Sequence, residues 1–584
     1  MMILLAKRRK ETFNHLIFVY MLFLILGCGP GNSDENMLRI GLMEEPRTTN
    51  IWLASDTNSR KVLSLIYQPL YTYDPDTLEL VPWLAAAMPQ FDPETISYTV
   101  ALRHAKWSDG TPVTADDVVF TVDLIRRFKV PRYFSQWQFV EKTVAVDDTT
   151  VRFFLSEPRA IFLTKTLVNY IVPKSQWAPI AQQAENTKKP LVALLNAKIS
   201  SPMGSGPYVI EQWRQGAFLH LINNPHFFGK NLVISNRRLG PYADSILFKI
   251  YSTADVAILA LKRNAVDYFW WPIQPGYIDG LRGNENTKVY LSDRSALYYM
   301  GFNVRHAPFS DPAIRRAVSF LIDKEFIIER VLQGFAAPMD SIVPSENTFW
   351  HADGLPRYGR GMTRSDRIKA AYRLLSEGGY TWDRPPVNDA GSVVSPSRII
   401  LPDGQPMADF AILTPPADYD PARATCGVII QEWLKDLGLP ASARPMSFGA
   451  LLQRIKDRHD FETFILGYGQ LSLDPDYLRN FFHSANDRPG GWNMSGYRNP
   501  VFDRLADESG KAMDPSRRRY LVNDMQRIIM ADVPYIPLYN PVAIEAVNTN
   551  RFAHWEQMID GIGNIWSICR VRPQTRQAAR DIDN

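Results

Sequence analysis

The stretch WLAAAMPQFDPETISYTVALRHAKWSDGTPVTADDVVFT, from Trp83 to Thr121, holds a strand, a turn and the start of a helix in close succession. Ser97 to Arg103 (SYTVALR) alternates apolar and polar side chains, the period of a strand with one face buried. Lys106 to Asp117 (KWSDGTPVTADD) carries Asp-Gly and a proline, the chemistry of a turn. The apolar run VVFTVDLIRRF then begins at Val118, three residues after Ala115 and directly after Asp116-Asp117. A threonine followed at the third position by a carboxylate, just ahead of an apolar run, marks a helix N-terminus. Side-chain oxygens there satisfy N–H groups that have no partner in the first turn, and acidic groups meet the positive end of the helix dipole. Thr114, Asp116 and Asp117 are therefore read as a helix start and not as paired acid–base carboxylates.

The same alternation of elements continues on both sides. Thr150 to Pro158 reads as a strand ended by proline, and Gly206 to Pro225 as a hairpin turning near Gln215-Gly216. Asp311 to Phe335 reads as one long helix with Asp311 as N-cap and Pro312 at the first position. Ile314, Ala317, Val318, Leu321 and Ile322 form its apolar face. Cys426 to Gly438 is a second helix, closed by the glycine, and Phe461 to Gly469 is a strand apolar enough to be buried. Pro385 to Pro421, rich in Pro, Gly, Asp and Ser, reads as loop with short extended pieces. No repeat or low-complexity tract occurs, so the chain is mixed α/β without a regular βα repeat.

The first residues set the compartment. Lys7 to Lys10 is basic, Leu16 to Leu26 is apolar, and Gly27-Cys28 closes the run. That is the order of a secretory signal, and the run is well short of the ~20 residues of a spanning helix. Ile25-Leu26-Gly27-Cys28 resembles the lipobox of bacterial lipoproteins, which implies residues 1–27 as signal peptide, lipidation at Cys28, and 28–36 as a lipidated tether. Several acyl chains hold a membrane stably where one does not. An uncleaved anchor, or a signal with an incidental cysteine, is the alternative. Loss of 1–27 removes four basic residues and one acidic residue, so the formal charge falls from +4 to +1, with no basic stripe for nucleic acid. The remaining chain of about 557 residues exceeds one core, so two or three domains are expected. Aromatic residues make up 12%, enough to line a pocket as well as fill cores. Cys426 and Cys569 could pair in an oxidising compartment.

Catalytic signatures are missing. There is no H-E-x-x-H, Walker A loop, C-x-x-C or G-x-S-x-G, and Gly561-Ile562-Gly563 is a lone G-x-G read as a turn. The nine histidines are scattered, which gives no metal-ligand cluster and no reason to expect a cofactor. The weight falls on binding.

Trp83 to Thr121, with its Trp and D-G-x-P-x-T-A-D-D-V run, resembles the signature of the extracellular solute-binding proteins, family 5. These are the binding components of ABC importers for peptides, nickel complexes and related solutes. Met203 to Trp213, Tyr298 to Pro338, Leu466 to Ser484, Gly490 to Leu505 and Ala531 to Pro541 resemble further landmarks of that family in the same order. The resemblance implies an α/β, two-lobed periplasmic-binding-protein fold, class II-like and large, with an extra subdomain in the first lobe. It places the first lobe at 37–280 with the subdomain at about 81–195, the second lobe at 281–525 and a return at 526–584. The chain would cross between lobes near 280–300 and 510–530. It also implies a non-enzymatic protein of the bacterial cell envelope, on the periplasmic or extracytoplasmic face and membrane-anchored. Its partners would be a peptide or peptide-like solute and ABC permease subunits.

The cleft residues implied are Glu44 and Glu45 after Met43, Trp271 beside Trp270, and Asn303 beside Phe302. On the other lobe they are Tyr468, Gly469, Gln470, Asp474, Trp492 and Asn493. Gly469 is singled out because a glycine admits another chain closely, as for a peptide adding as a strand. Peptide-binding members hold the ligand's amine with a carboxylate a few positions before the D-P pair, whereas Gly469 to Leu473 has none. Little dependence on a free α-amine follows, unless Glu44, Glu45, Asp474 or Asp476 substitutes. Asp474 and Asp476 could instead only cap the next helix. A nickel complex, a glycan-like solute, an envelope chaperone or a secreted enzyme on the same fold stay open.

Overall fold

A computed structural model describes residues 36–574, so the signal-like run and Cys28 lie outside the described residues. Two sheets dominate. The first has seven strands in the spatial order Thr287–Ser292, Ala543–Asn548, Tyr268–Phe269, Met37–Leu42, Ser245–Ile250, Phe218–Asn223 and Tyr208–Arg214. The second has six, in the order Ala336–Pro338, Tyr535–Pro541, Leu297–Phe302, Thr463–Tyr468, Phe410–Thr414 and Ala441–Pro445. Each is the centre of one lobe.

Strand periodicity explains the second lobe. Successive side chains point to opposite faces. Leu297, Tyr299, Phe464 and Leu466 join one apolar cluster, while Met300, Phe302, Ile412 and Ile465 join another. With both faces covered, these strands are apolar throughout instead of alternating.

A four-stranded sheet, Gln90–Asp92, Ser97–Ala101, Thr150–Leu155 and Val140–Asp147, forms the inserted unit. Its core is continuous with that of the first sheet, one cluster running from Leu38 and Ile40 to Trp107, Val118 and Phe153. The helix Ala115–Phe128 starts as its sequence indicates. The Asp117 carboxylate accepts from Thr114 N at 2.9 Å, Trp107 Nε1 at 3.1 Å and Lys174 N at 2.8 Å. One buried acid thus fixes helix, turn and neighbouring segment together. The Gly206–Pro225 hairpin turns at Gly216, where φ is +74°.

Four expectations change. The helix read from Asp311 to Phe335 is two, Pro312–Leu321 and a second beginning at Lys324, because Asp323 is itself an N-cap, accepting from Phe326 N at 2.9 Å. The stretch Pro385 to Pro421 contains a fully buried strand, Phe410–Thr414, pairing in parallel with Ala441–Pro445. Buried on both faces, it shows no alternation to betray it. The first crossing is Asp293–Ala296, but the second is Val542 alone and not 510–530. The helix Pro515–Asp532 and the strand Tyr535–Pro541 stay with the second lobe, and Thr287–Ser292 belongs to the first. Cys426 and Cys569 are free thiols buried in separate apolar clusters, so they do not pair. No helix among the described residues is long and apolar enough to cross a membrane.

Candidate functional site

The lobes meet beside the two crossings and enclose adjoining cavities. One, of about 600 Å³, is lined by Tyr73, Asn169 and Thr164 from the first lobe, Gln470 to Leu473 from the second, and Asp560 to Gly561 from the returning segment. The next, of about 440 Å³, is lined by Arg60, Lys61, Trp270, Trp271, Arg294 and Glu545. Gln470, Asp560 and Gly563 line both, so the two form one cleft. Their sizes suit a small organic ligand. A third cavity of about 320 Å³, with Leu78, Leu163, Phe349, Trp350 and Met513 on its walls, shares Thr164 and Leu473 with the first.

Lys61 stands on the helix Thr57–Ser64, whose N-cap Asp56 accepts from Ser59 N. Its ammonium donates to Trp270 O at 2.7 Å and lies 5.0 Å from the centre of the Trp270 ring. Burial pulls its pKa down to about 8, with Glu545 opposing the shift. Glu545 is itself pushed up by burial, although the Tyr268 hydroxyl and Ile562 N both donate to it.

Asp560 accepts from Ser295 N at 3.2 Å and from Gln470 Nε2 at 3.3 Å, while Arg294 Nε stands off at 3.8 Å. Burial raises its pKa. Arg294 spends another nitrogen on Gly469 O at 2.7 Å.

Where the lobes touch beyond the first cavity, Asp474 is fully buried. Arg518 Nη1 and Nη2 donate to its two oxygens at 2.6 and 2.8 Å, and the Thr164 hydroxyl donates from across the junction. Burial alone would raise its pKa, but Arg518 and then Lys165 and Thr164 hold it well below the usual carboxylate range. Asp476 pairs with Lys165 at 3.3 Å. Asp474 Oδ1 also accepts from Asp476 N at 3.0 Å.

Of the residues expected at the cleft, Trp271 and Gln470 line it. Glu45 instead accepts from Trp213 Nε1 and Gly216 N at the hairpin tip, and Glu44 is exposed and lines none of these cavities. Asn303 donates to Phe461 O at 2.9 Å and Asn493 to Tyr497 O at 2.8 Å, so both amides tie loops inside the second lobe. Tyr468 stacks between Tyr299 and Phe481. Trp492 is 47% exposed with Lys456 over its ring at 3.8 Å. Neither lines the cleft cavities. The glycine that close packing demands is Gly467, where a Cβ would stand 2.5 Å from the Tyr298 ring, while a Cβ at Gly469 meets open space. Asp474 is spent on Arg518. Lys61, Arg294 and Asp560 escaped the sequence reading, since each is a lone charge in an ordinary segment. The only flag was Gly561-Ile562-Gly563 next to Asp560.

The sequence profile of the bacterial extracellular solute-binding proteins, family 5 Middle, matches residues 79–489. The chain is similar to the oligopeptide-binding protein AppA of Bacillus subtilis (strain 168), 26% identical over 560 residues, covering 92% of this chain and 94% of that protein. The structure of AppA in complex with a nonapeptide aligns with a TM-score of 0.63 and 23% identity, over 92% of this chain and 99% of that one. NikZ from Campylobacter jejuni in complex with Ni(L-His) aligns with a TM-score of 0.67 and 20% identity, over 92% and 99%. The profile runs from just before the inserted unit to beyond the second-lobe strand Thr463–Tyr468, well over half of the sequence, and so the chain belongs to the bacterial extracellular solute-binding proteins of family 5.

Proposed function

We propose that this chain captures a peptide or peptide-like solute between its lobes and presents the closed form to the permease of an ABC importer. The observation that carries the reading is the cleft beside the crossings, walled by both lobes and lined with tryptophan, lysine, arginine and carboxylate groups. A solute touching both walls binds the closed arrangement more tightly than the open one, and that difference drives closure. The printed name of AppA, an oligopeptide-binding protein, supports a peptide. A metal bound within an organic complex, as Ni(L-His) is in NikZ, is a second class of solute for such a cleft. The activity is binding without chemistry on the solute.

Denaturing the purified protein and identifying the released molecules by mass spectrometry tests the reading, together with solution scattering on re-addition. Release of peptides and a smaller radius of gyration with them are expected; tight binding without compaction would overturn the closure mechanism. The same reading takes Cys28 as the lipidated residue that holds the protein to a membrane, on its periplasmic or extracytoplasmic face. Cys28→Ser then moves the protein to the soluble envelope fraction, and retention in the membrane fraction refutes the anchor.

A further inference from the structure

We infer that Asp560 is the ammonium-accepting group of this cleft, and that Lys61 faces an anionic group of the same ligand. The inference rests on the peptide reading above and deepens it. The lobe II stretch Gly469 to Leu473 has no carboxylate, Glu45 is engaged at the hairpin tip, and Asp474 is neutralised by Arg518. Asp560 lines both cavities of the cleft, with its side chain 24% exposed. Its oxygens receive one amide N–H and one carboxamide, both longer than 3.1 Å, and no cation among the described residues reaches hydrogen-bond distance. A partly buried carboxylate left in this state gains from an incoming cation.

The loop is built to present it. Asp560 has a left-handed φ of +69°, and its N–H is fixed to Asp293 O at 2.7 Å, on the first crossing. Gly561 follows with φ +120°, where any side chain would collide with Glu545, and at Gly563 one would collide with Trp270. The two glycines let the backbone next to Asp560 lie close against Glu545 and Trp270, which line the same cavity as Asp560. The same 440 Å³ cavity carries Lys61, whose ammonium makes one hydrogen bond among the described residues, with Arg60 beside it. Opposite charges within one cavity fit a small zwitterion, namely a short peptide with free amine and free carboxylate.

The test offers wild type and Asp560→Asn a pool of random three- to five-residue peptides, half with free and half with acetylated amines, and quantifies retained species by mass spectrometry. Wild type is expected to favour free amines about a hundredfold, and Asp560→Asn to reduce that preference below threefold with an unchanged thermal midpoint. Equal retention of acetylated peptides by wild type overturns the inference without any variant, as does a preference that survives Asp560→Asn. Either result leaves the proposed function standing. Retention of no peptide overturns both.

Discussion

Asp474 receives two hydrogen bonds from Arg518 and one from Thr164 of the facing lobe, whereas Asp560 receives only an amide and a carboxamide, with its nearest guanidinium nitrogen 3.8 Å away. Both are aspartates at the junction of the lobes, the first fully buried and the second partly so. The protein holds the first ionised and closes its account internally; burial raises the second, and its compensation is left to whatever enters the cleft. The difference separates a carboxylate that joins elements from one that selects a ligand.

Breaking the compensated pair gives the largest effect. Arg518→Met leaves a buried charge unpaired and should lower the unfolding free energy by about 3–5 kcal/mol in urea titrations. Adding Asp474→Leu should restore most of it, because a matched apolar pair carries no desolvation cost. A single variant within about 1 kcal/mol of wild type would mean that water already screens the pair.

Acid sharpens the same contrast. The Asp474 pKa is depressed in the folded state, so its contribution is present above its ordinary value of 3.8 and lost as pH falls below that toward the folded value. Asp560 works in the opposite sense, since a raised pKa favours folding while the group is protonated and the benefit disappears as pH rises. Thermal midpoints between pH 5 and 2 should fall steeply for wild type and less steeply for Asp474→Asn. Parallel curves would remove Asp474 from the acid response.

A smaller effect is expected at Lys61. Its neighbours are Glu545 and Arg60, with Arg294 and Asp560 on the same cavity wall, and its pKa is about 8. Only the ammonium attracts an anion, so affinity for a free-acid peptide should drop up to about tenfold from pH 8 to 9 relative to the same peptide as its C-terminal amide. Both peptides carry the same amine, so its own titration cancels in calorimetry; a constant ratio would place the carboxylate elsewhere. Smallest of all is the change in fold stability for Asp560→Asn, about 1 kcal/mol or less, because little holds that charge in the free protein.

The strands, the hairpin turn, the Thr114 cap and the order of landmarks were legible because each rests on local chemistry or on a period within one segment. Phe410–Thr414 was hidden because a strand buried on both faces has no alternation, and the break at Asp323 because a second cap sits inside a continuing apolar pattern. The second crossing was misplaced because the helix Pro515–Asp532 carries no mark of the lobe it packs on. The cleft was only half legible. Trp271 and Gln470 came from family position, while Asp560 and Lys61 line one cavity although they stand some five hundred positions apart in the chain. Conversely, Tyr468, Asn303 and Asn493 have side chains that suit a pocket wall but are consumed inside the lobe.

The strands on either side of the crossings form one antiparallel ribbon. Thr287–Ser292 pairs with Ala543–Asn548 in the first lobe, and Leu297–Phe302 pairs with Tyr535–Pro541 in the second. In each sheet the late strand lies one place in from the edge, with neighbours on both sides. A chain growing from its N-terminus therefore cannot finish either sheet until its last portion has been made. Such long sequence separation also slows folding, since the loop must close before the pairing rewards it. This ribbon therefore carries its own delay: the two lobes wait for one late segment and are completed together.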